Sequence, residues 1–261
     1  MNDINICVAY PRKNIHSETF IRAHIDYMPA RVFELYGGYW FPEYDGETDT
    51  RIYSDWARRA DSLLRRLPGL QESLFRYRTA RDYFRKYGIR AVLAEFGPTG
   101  EALATVCKNA GIPLVVHFHC FDAYRNDILV SRGYKDRYQD MFQSAAALIA
   151  VSDDMRQQLI GLGAPAGKLY VNSCGVDVDV FEEIDAGKNS IHFVSTGRFV
   201  DKKAHYLTIL AFSQVLEHIP EATLTILGNG ELYEACKRIV AGLGIGDNVT
   251  LPGPVSHKEV R

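Results

Sequence analysis

Arg198 and Lys203 stand five residues apart in "STGRFVDKKAH", between the apolar run Ile191 to Val194 and the segment Tyr206 to Leu216, whose apolar residues recur at helical spacing. A strand, a glycine turn at Gly197 and a helix start make a seat for phosphate, because free backbone N–H groups and the helix dipole point at it. Arg198 and Lys203 would add two full positive charges. A second group lies in "HFHCFDAY", where His117, His119 and Asp122 fall at the end of an apolar strand, the place where α/β clefts gather ligands. Two histidines at i, i+2 with no clear third ligand are weak support for a metal site, and a hydrogen-bonded place in the sheet is the expectation for His117. Asp177 and Asp179 form a D-x-D pair in "CGVDVDVF", part of a polar, glycine-containing segment that suits a connector. Gly228 and Gly230 in "LGNGEL" follow a strand and permit close approach to a nucleotide or sugar, although a lone G-x-G is unspecific.

The elements that must position these residues alternate between strand and helix, which implies a parallel sheet with crossover helices. Strands are expected at Ile4 to Ala9, in "IRAVLAEF", "IPLVVHFH", "AALIAV" and "LYVN", with helices in "HSETFIRAHIDYM", "GPTGEALATVCKNAG" and "SDDMRQQLIGLG". Ser152 is placed to cap the last of these and Gly163 to follow its end. After "CGVDVDVFEEIDAGKNS" the alternation resumes with "IHFVSTG", a helix over Ala204 to His218, "ATLTILG", a helix over Glu231 to Leu243, and "NVTLPG". The expected organisation is a complete α/β domain over 1–185 and the first half of a second over 186–261, since a whole second domain needs roughly 100 residues or more.

Composition narrows the function classes. The chain has 261 residues, 47% of them hydrophobic, and a formal net charge of −2, which argues against general nucleic-acid binding. Between Arg51 and Arg90 the balance reverses, with eleven Lys and Arg against four Asp and Glu. Trp56, Leu63, Leu64 and Leu67 recur there at helical spacing, so two readings stand: an ordinary solvated helix, or a surface for an anionic membrane. The five cysteines, Cys7, Cys107, Cys120, Cys174 and Cys236, form no C-x-x-C pair, as in a reduced, cytoplasmic protein. No signal peptide or membrane-length apolar stretch is evident. No G-x-G-x-x-G follows the first strand, which disfavours a dinucleotide-binding dehydrogenase.

Taken in order, "YPRKNIHSETFIRAHI", "HFHCFDAY", "ALIAVSDDMRQQLIGLGAPAGKLYVNSCGVDVDVF" and "VSTGRFVDKKAHYLTILAF" through "VTLPGPVSHKEV" resemble the successive signatures of the retaining family-four glycosyltransferases of GT-B architecture. The opening segment is similar to an S-E-T-F subset associated with exopolysaccharide and other surface glycans. The resemblance implies transfer of a sugar from a UDP- or GDP-sugar to an acceptor hydroxyl of a glycan or lipid-linked glycan, with retention of configuration, in a cleft between two Rossmann-like domains. Arg198 and Lys203 match the positions that hold the donor diphosphate, where fixed cations favour the leaving group's developing charge. His119 corresponds to the histidine facing the donor sugar, with Asp122 shaping the same cleft. Ser17, Glu18 and Thr19 keep two readings, a helix start with Ser17 as cap or contact with acceptor or donor.

Two departures stand out, Ala204 and Cys120, where the family usually has glycine. The resemblance implies no metal or other cofactor, with the nucleotide sugar as substrate. It also implies an E-x7-E element, and no two glutamates of this sequence are eight residues apart. The expectation is therefore a truncated chain, with a non-catalytic fragment that binds acceptor or membrane as the alternative. A cytoplasmic place, peripheral to the inner face of the membrane through 51–90, completes the reading.

Overall fold

A computed structural model describes residues 4–13, 18–38, 41–64, 74–176, 178–180, 191–256 and 259. The chain forms two compact units, Met1–Gly175 and Val176–Arg261. The division lies ten residues before the boundary read from the sequence: the expected boundary followed the resumption of regular alternation, whereas residues 176–180 already group with the second unit.

The first unit runs β1 (Asn5–Tyr10), α1 (Thr19–Tyr27), β2 (Arg31–Tyr36), β3 (Tyr44–Asp45), α2 (Asp55–Leu64), α3 (Leu74–Lys86), β4 (Ala91–Glu95), α4 (Gly97–Ala110), β5 (Leu114–Phe118), α5 (Phe121–Tyr124), α6 (Asn126–Leu129), α7 (Tyr134–Ser144), β6 (Ala147–Ala150), α8 (Asp153–Gly161) and β7 (Leu169–Val171). Its sheet has the order β3-β2-β1-β4-β5-β6-β7, parallel except for β3. Both faces of the sheet are covered, so its strands read as continuous apolar runs. In β1, Cys7 and Ala9 join the core on one face while Val8 and Tyr10 join a second core with Ile21, Leu93 and Phe96 on the other. Each large side chain so buried contributes roughly 1.5–3 kcal/mol. The strand order reverses between β1 and β4, and ligands of such sheets sit beyond the strands' carboxyl ends at that point.

Helix ends follow the sequence closely. Ser152 Oγ accepts the N–H of Met155 and caps α8, and Gly111 closes α4 in the left-handed conformation. Ser17 lies outside the described residues; Glu18 occupies the N-cap of α1 without a side-chain cap, and Thr19 is its exposed first residue. The basic stretch is two helices rather than one. Asp61 of α2 accepts the backbone N–H groups of Phe75 and Arg76 at the start of α3, locking the pair together.

The second unit comprises β8 (His192–Thr196), α9 (His205–Leu216), β9 (Thr223–Leu227), α10 (Tyr233–Leu243) and β10 (Val249–Gly253), with a parallel sheet of order β10-β9-β8. It has its own core of Phe199, Ile209, Phe212, Leu224, Ile226, Cys236 and Val240. Among the described residues no helix is long and apolar enough to cross a membrane.

Candidate functional site

In the first unit the site forms around a carboxylate that the sequence reading passed over. Glu95 ends β4, pairs in register with His117 of β5, and is 0% exposed. Its Oε1 lies 2.7 Å from His24 Nδ1 on α1, and its Oε2 lies 2.7 Å from His119 Nε2 and 3.7 Å from His117 Nδ1. Burial opposes ionisation of Glu95, but hydrogen bonds from His119 and His24 outweigh it and bring its pKa down to about 2. Burial likewise opposes the charged form of His119, yet hydrogen bonds with Cys174 and Glu95, with the Glu95 charge, raise it to about 9. His117 is pushed down to about 4 by burial and by neighbouring His119, so it is neutral at pH 7. At neutral pH the result is a buried imidazolium–carboxylate pair at the sheet's carboxyl edge.

Aromatic rings fix that pair. Phe20 stacks on His119 with centroids 4.1 Å apart, and Phe96 meets it edge-on at 5.0 Å. With Nε2 engaged by Glu95, the remaining nitrogen of His119 is Nδ1, which faces Cys174 Sγ at 3.9 Å. A protonated Nδ1 donates; it serves an oxygen acceptor such as a hydroxyl or phosphate, and it cannot act as a general base.

Asp122 faces backbone. Its Oδ2 accepts the N–H of Gly97 at 2.8 Å and its Oδ1 that of His119 at 2.9 Å, so it ties the start of α4 to the end of β5. Full burial raises its pKa to about 6 despite those hydrogen bonds. Cys120, at the position where glycine was expected, has φ +69°.

In the second unit the loop from Gly197 to Ala204 joins β8 to α9. Arg198 and Lys203 are both exposed, and among the described residues neither is held by a carboxylate. Among the described residues no side chain caps α9, so the loop brings two exposed cations to a helix whose first N–H groups have no side-chain acceptor. Ala204, also in place of a glycine, takes φ +50°, ψ +38°. His205, 4% exposed, packs on the Phe199 ring at 4.6 Å, and neither of its ring nitrogens has a hydrogen-bond partner among the described residues.

Gly228 and Gly230 serve this same loop. A Cβ on Gly228 would lie 2.0 Å from the Gly197 carbonyl oxygen, and one on Gly230 would lie 2.4 Å from that of Phe199. Backbone hydrogen bonds from Gly197 to Leu227 and from Phe199 to Asn229 continue the β8–β9 ladder into it. The close approach foreseen for these glycines is thus, in the structure, an approach to the Arg198 loop.

The structure therefore brings His119 and Asp122 together in one unit, and Gly197, Arg198, Lys203, Gly228 and Gly230 together in the other. Asp177 lies outside the described residues, and Asp179 sits in a short 3-10 turn at 178–180. Glu95 and His24 were missed. The only available signals were an acid closing an apolar strand and a histidine in an amphipathic helix, neither of them specific. His24, Glu95 and His117 each offer a ligand atom within 4.8 Å of the others, which is close enough for one cation.

Residues 18–180 match the profile described as Glycosyltransferase Family 4, more than half of the chain, and residues 179–261 match Glycosyl transferases group 1. The chain belongs to glycosyltransferase family 4. It is 26% identical over 174 residues to the putative colanic acid biosynthesis glycosyltransferase WcaL of Escherichia coli, covering 65% of this chain and 42% of the relative. It is 28% identical over 174 residues to the amylovoran biosynthesis glycosyltransferase AmsK of Erwinia amylovora, with the same coverage of 65% and 42%. The aligned region thus spans less than half the length of these curated relatives. Among solved structures, Anabaena Alr3699/HepE in complex with UDP superposes with a TM-score of 0.69 at 16% identity, covering 97% of this chain and 70% of the other. A glycosyltransferase from Rickettsia africae gives a TM-score of 0.67 at 14% identity, covering 98% and 69%. The fold is the GT-B-like α/β type that the sequence led us to expect.

Proposed function

We propose that the chain is the acceptor-side domain and part of the donor domain of a glycosyltransferase that moves a sugar from a nucleotide-diphosphate sugar to a hydroxyl of a glycan or lipid-linked glycan, with retention of configuration, in surface polysaccharide biosynthesis. The observation that carries this reading is the pair Arg198 and Lys203, exposed and, among the described residues, not held by a carboxylate, beside a helix start with no side-chain cap. In this reading they bind the donor diphosphate and stabilise charge on the leaving group, in place of a bridging metal, and no cofactor is needed. His119 donates from Nδ1 to an oxygen of the donor, Asp122 holds the backbone that presents it, and Glu18 and Thr19 contact acceptor or donor.

The relatives' names support the class of pathway, and HepE complexes with UDP and with UDP-glucose support a uridine donor. The place of action is cytoplasmic, with peripheral contact at the inner face of the membrane through α2. Trp56 and Leu63, 65% and 63% exposed on α2 within the basic stretch 51–90, favour the contact.

Calorimetric titration with UDP, GDP and UDP-sugars tests the reading. We expect UDP to bind, and the Arg198→Ala/Lys203→Ala double variant to lose at least about 10-fold in affinity, since charge-assisted contacts contribute roughly 1.5–3 kcal/mol each. A folded chain that binds no nucleotide, or a double variant that binds as tightly as wild type, would overturn the assignment of this loop. Vesicle binding without nucleotide binding would favour the non-catalytic reading.

A further inference from the structure

Independently of glycosyl transfer, the first unit carries a group of side chains suited to a metal ion. An unneutralised carboxylate at the depth of Glu95 costs several kcal/mol, and two kinds of positive charge can offset it: protons on the surrounding imidazoles, or a cation between them. His24 from α1, Glu95 from the end of β4 and His117 from β5 each place a ligand atom within 4.8 Å of the other two. An ion held by nitrogen and oxygen at about 2.0–2.2 Å needs tetrahedral ligands roughly 3.4 Å apart. His24 Nδ1 lies 2.7 Å from Glu95 Oε1, a hydrogen bond that opens to admit an ion, and His117 Nδ1 lies 3.7 Å from Glu95 Oε2.

Two further observations point the same way. His117 is 1% exposed, and its ring lies 4.1 Å from that of His119 and 5.1 Å from that of His24, which fixes it with Nδ1 3.7 Å from Glu95 Oε2. His119 Nε2 meets Glu95 Oε2 at 2.7 Å, the outer partner that a ligating carboxylate ordinarily has. The His24 side chain is 21% exposed while Glu95 is closed, which gives an ion a path of entry from the α1 side.

We propose that His24, Glu95 and His117 bind one divalent transition metal. Two imidazoles and one carboxylate match Zn2+ best, with the fourth position left to water. The ion cross-links α1 to the carboxyl ends of β4 and β5 and fixes the carboxylate against which His119 is held.

The test uses the whole chain, stripped with a chelator and titrated with Zn2+ alone against a chromophoric competitor, and with Co2+ read by its visible spectrum. One equivalent should bind, with the intense visible bands of four-coordinate Co2+ and no thiolate charge-transfer band. His24→Gln should weaken binding more than about 10-fold, and a Cys120→Ser/Cys174→Ser variant should bind as wild type does. Glu95→Gln provides a second reading, with circular dichroism to verify the fold of each variant. No stoichiometric uptake by the folded wild type would overturn the site, as would undiminished uptake by His24→Gln. Loss in the cysteine variant would assign the ion to thiols instead. UDP titration is a separate measurement, so failure here leaves the transferase reading standing, and the reverse holds too.

Discussion

Ala204 and Cys120 occupy positions where glycine was expected, and both retain a backbone conformation that glycine favours, with φ of +50° and +69°. A left-handed residue bearing a Cβ costs about 1–2 kcal/mol, whereas glycine adds about 0.5–1 kcal/mol of unfolded-chain entropy. Ala204→Gly should therefore stabilise the protein by up to about 1 kcal/mol in urea unfolding, and Ala204→Val should destabilise it. A clear loss of stability on Ala204→Gly would contradict the left-handed turn before α9.

Asp122 supplies the pH dependence at the same scale. Its folded pKa of about 6 lies above its ordinary value of 3.8, so the folded chain binds the proton more tightly than the unfolded chain. That contribution is full below about pH 4 and is lost as pH rises through about 6, for a total on the order of 3 kcal/mol. Asp122→Asn should remove this contribution in unfolding experiments between pH 4 and 7 and leave the opposing rise in stability that His117, lowered to about 4, gives up to about pH 6.5. It should also cost about 1–3 kcal/mol, because an amide can accept from only one of the two N–H groups of Gly97 and His119. An unchanged slope in the variant would remove Asp122 as its source.

Among the elements, α2 is the one whose exposed face has the most to explain. Arg51 and Arg58 pair with Asp55, Arg76 with Glu43, and Arg78 and Arg81 with Asp82, so much of the basic stretch is already matched by acids. Membrane contact through α2 then depends more on Trp56 and Leu63 than on charge count. Trp56→Ser/Leu63→Ser should reduce sedimentation with phosphatidylserine-containing vesicles several-fold, with circular dichroism verifying the fold because Trp56 also meets Phe75 of α3 edge-on. Equal binding by this variant and wild type would leave α2 an ordinary solvated helix.

Strands buried on both faces were legible because they are continuous apolar runs, as in β4, β5 and β6. The second strand, "RVFELY", was missed: Arg31 and Glu34 interrupt its apolar residues, and it lies between α1 and a glycine-containing loop. The two-residue β3 is too short to carry a pattern. Arg198 and Lys203 were legible because one loop holds them both. The network around Glu95 was not, since His24, Glu95 and His117 meet only when β1, β4 and β5 lie side by side and α1 covers them. That adjacency is a property of the strand order, and spacing along the chain does not encode it.

For the whole molecule, each of the two units has its own buried core residues, so damage to one should be felt first in its own unit. Leu103→Ala in the first and Ile226→Ala in the second, both wholly buried, should each cost about 2–5 kcal/mol. Native-state hydrogen exchange should show faster opening confined to the strands of the mutated unit, β4 and β5 in one case and β8 and β9 in the other. Equal acceleration in both units by either substitution would show a single cooperative body instead.

The grip of Asp122 on two backbone N–H groups reaches beyond stability. The frame that presents residue 119 is held by main-chain contacts, whichever side chain is displayed there. The loop can keep its shape when residue 119 is replaced, but a replacement that does not neutralise Glu95 strands a buried charge, so the chemistry displayed there can change only together with residue 95.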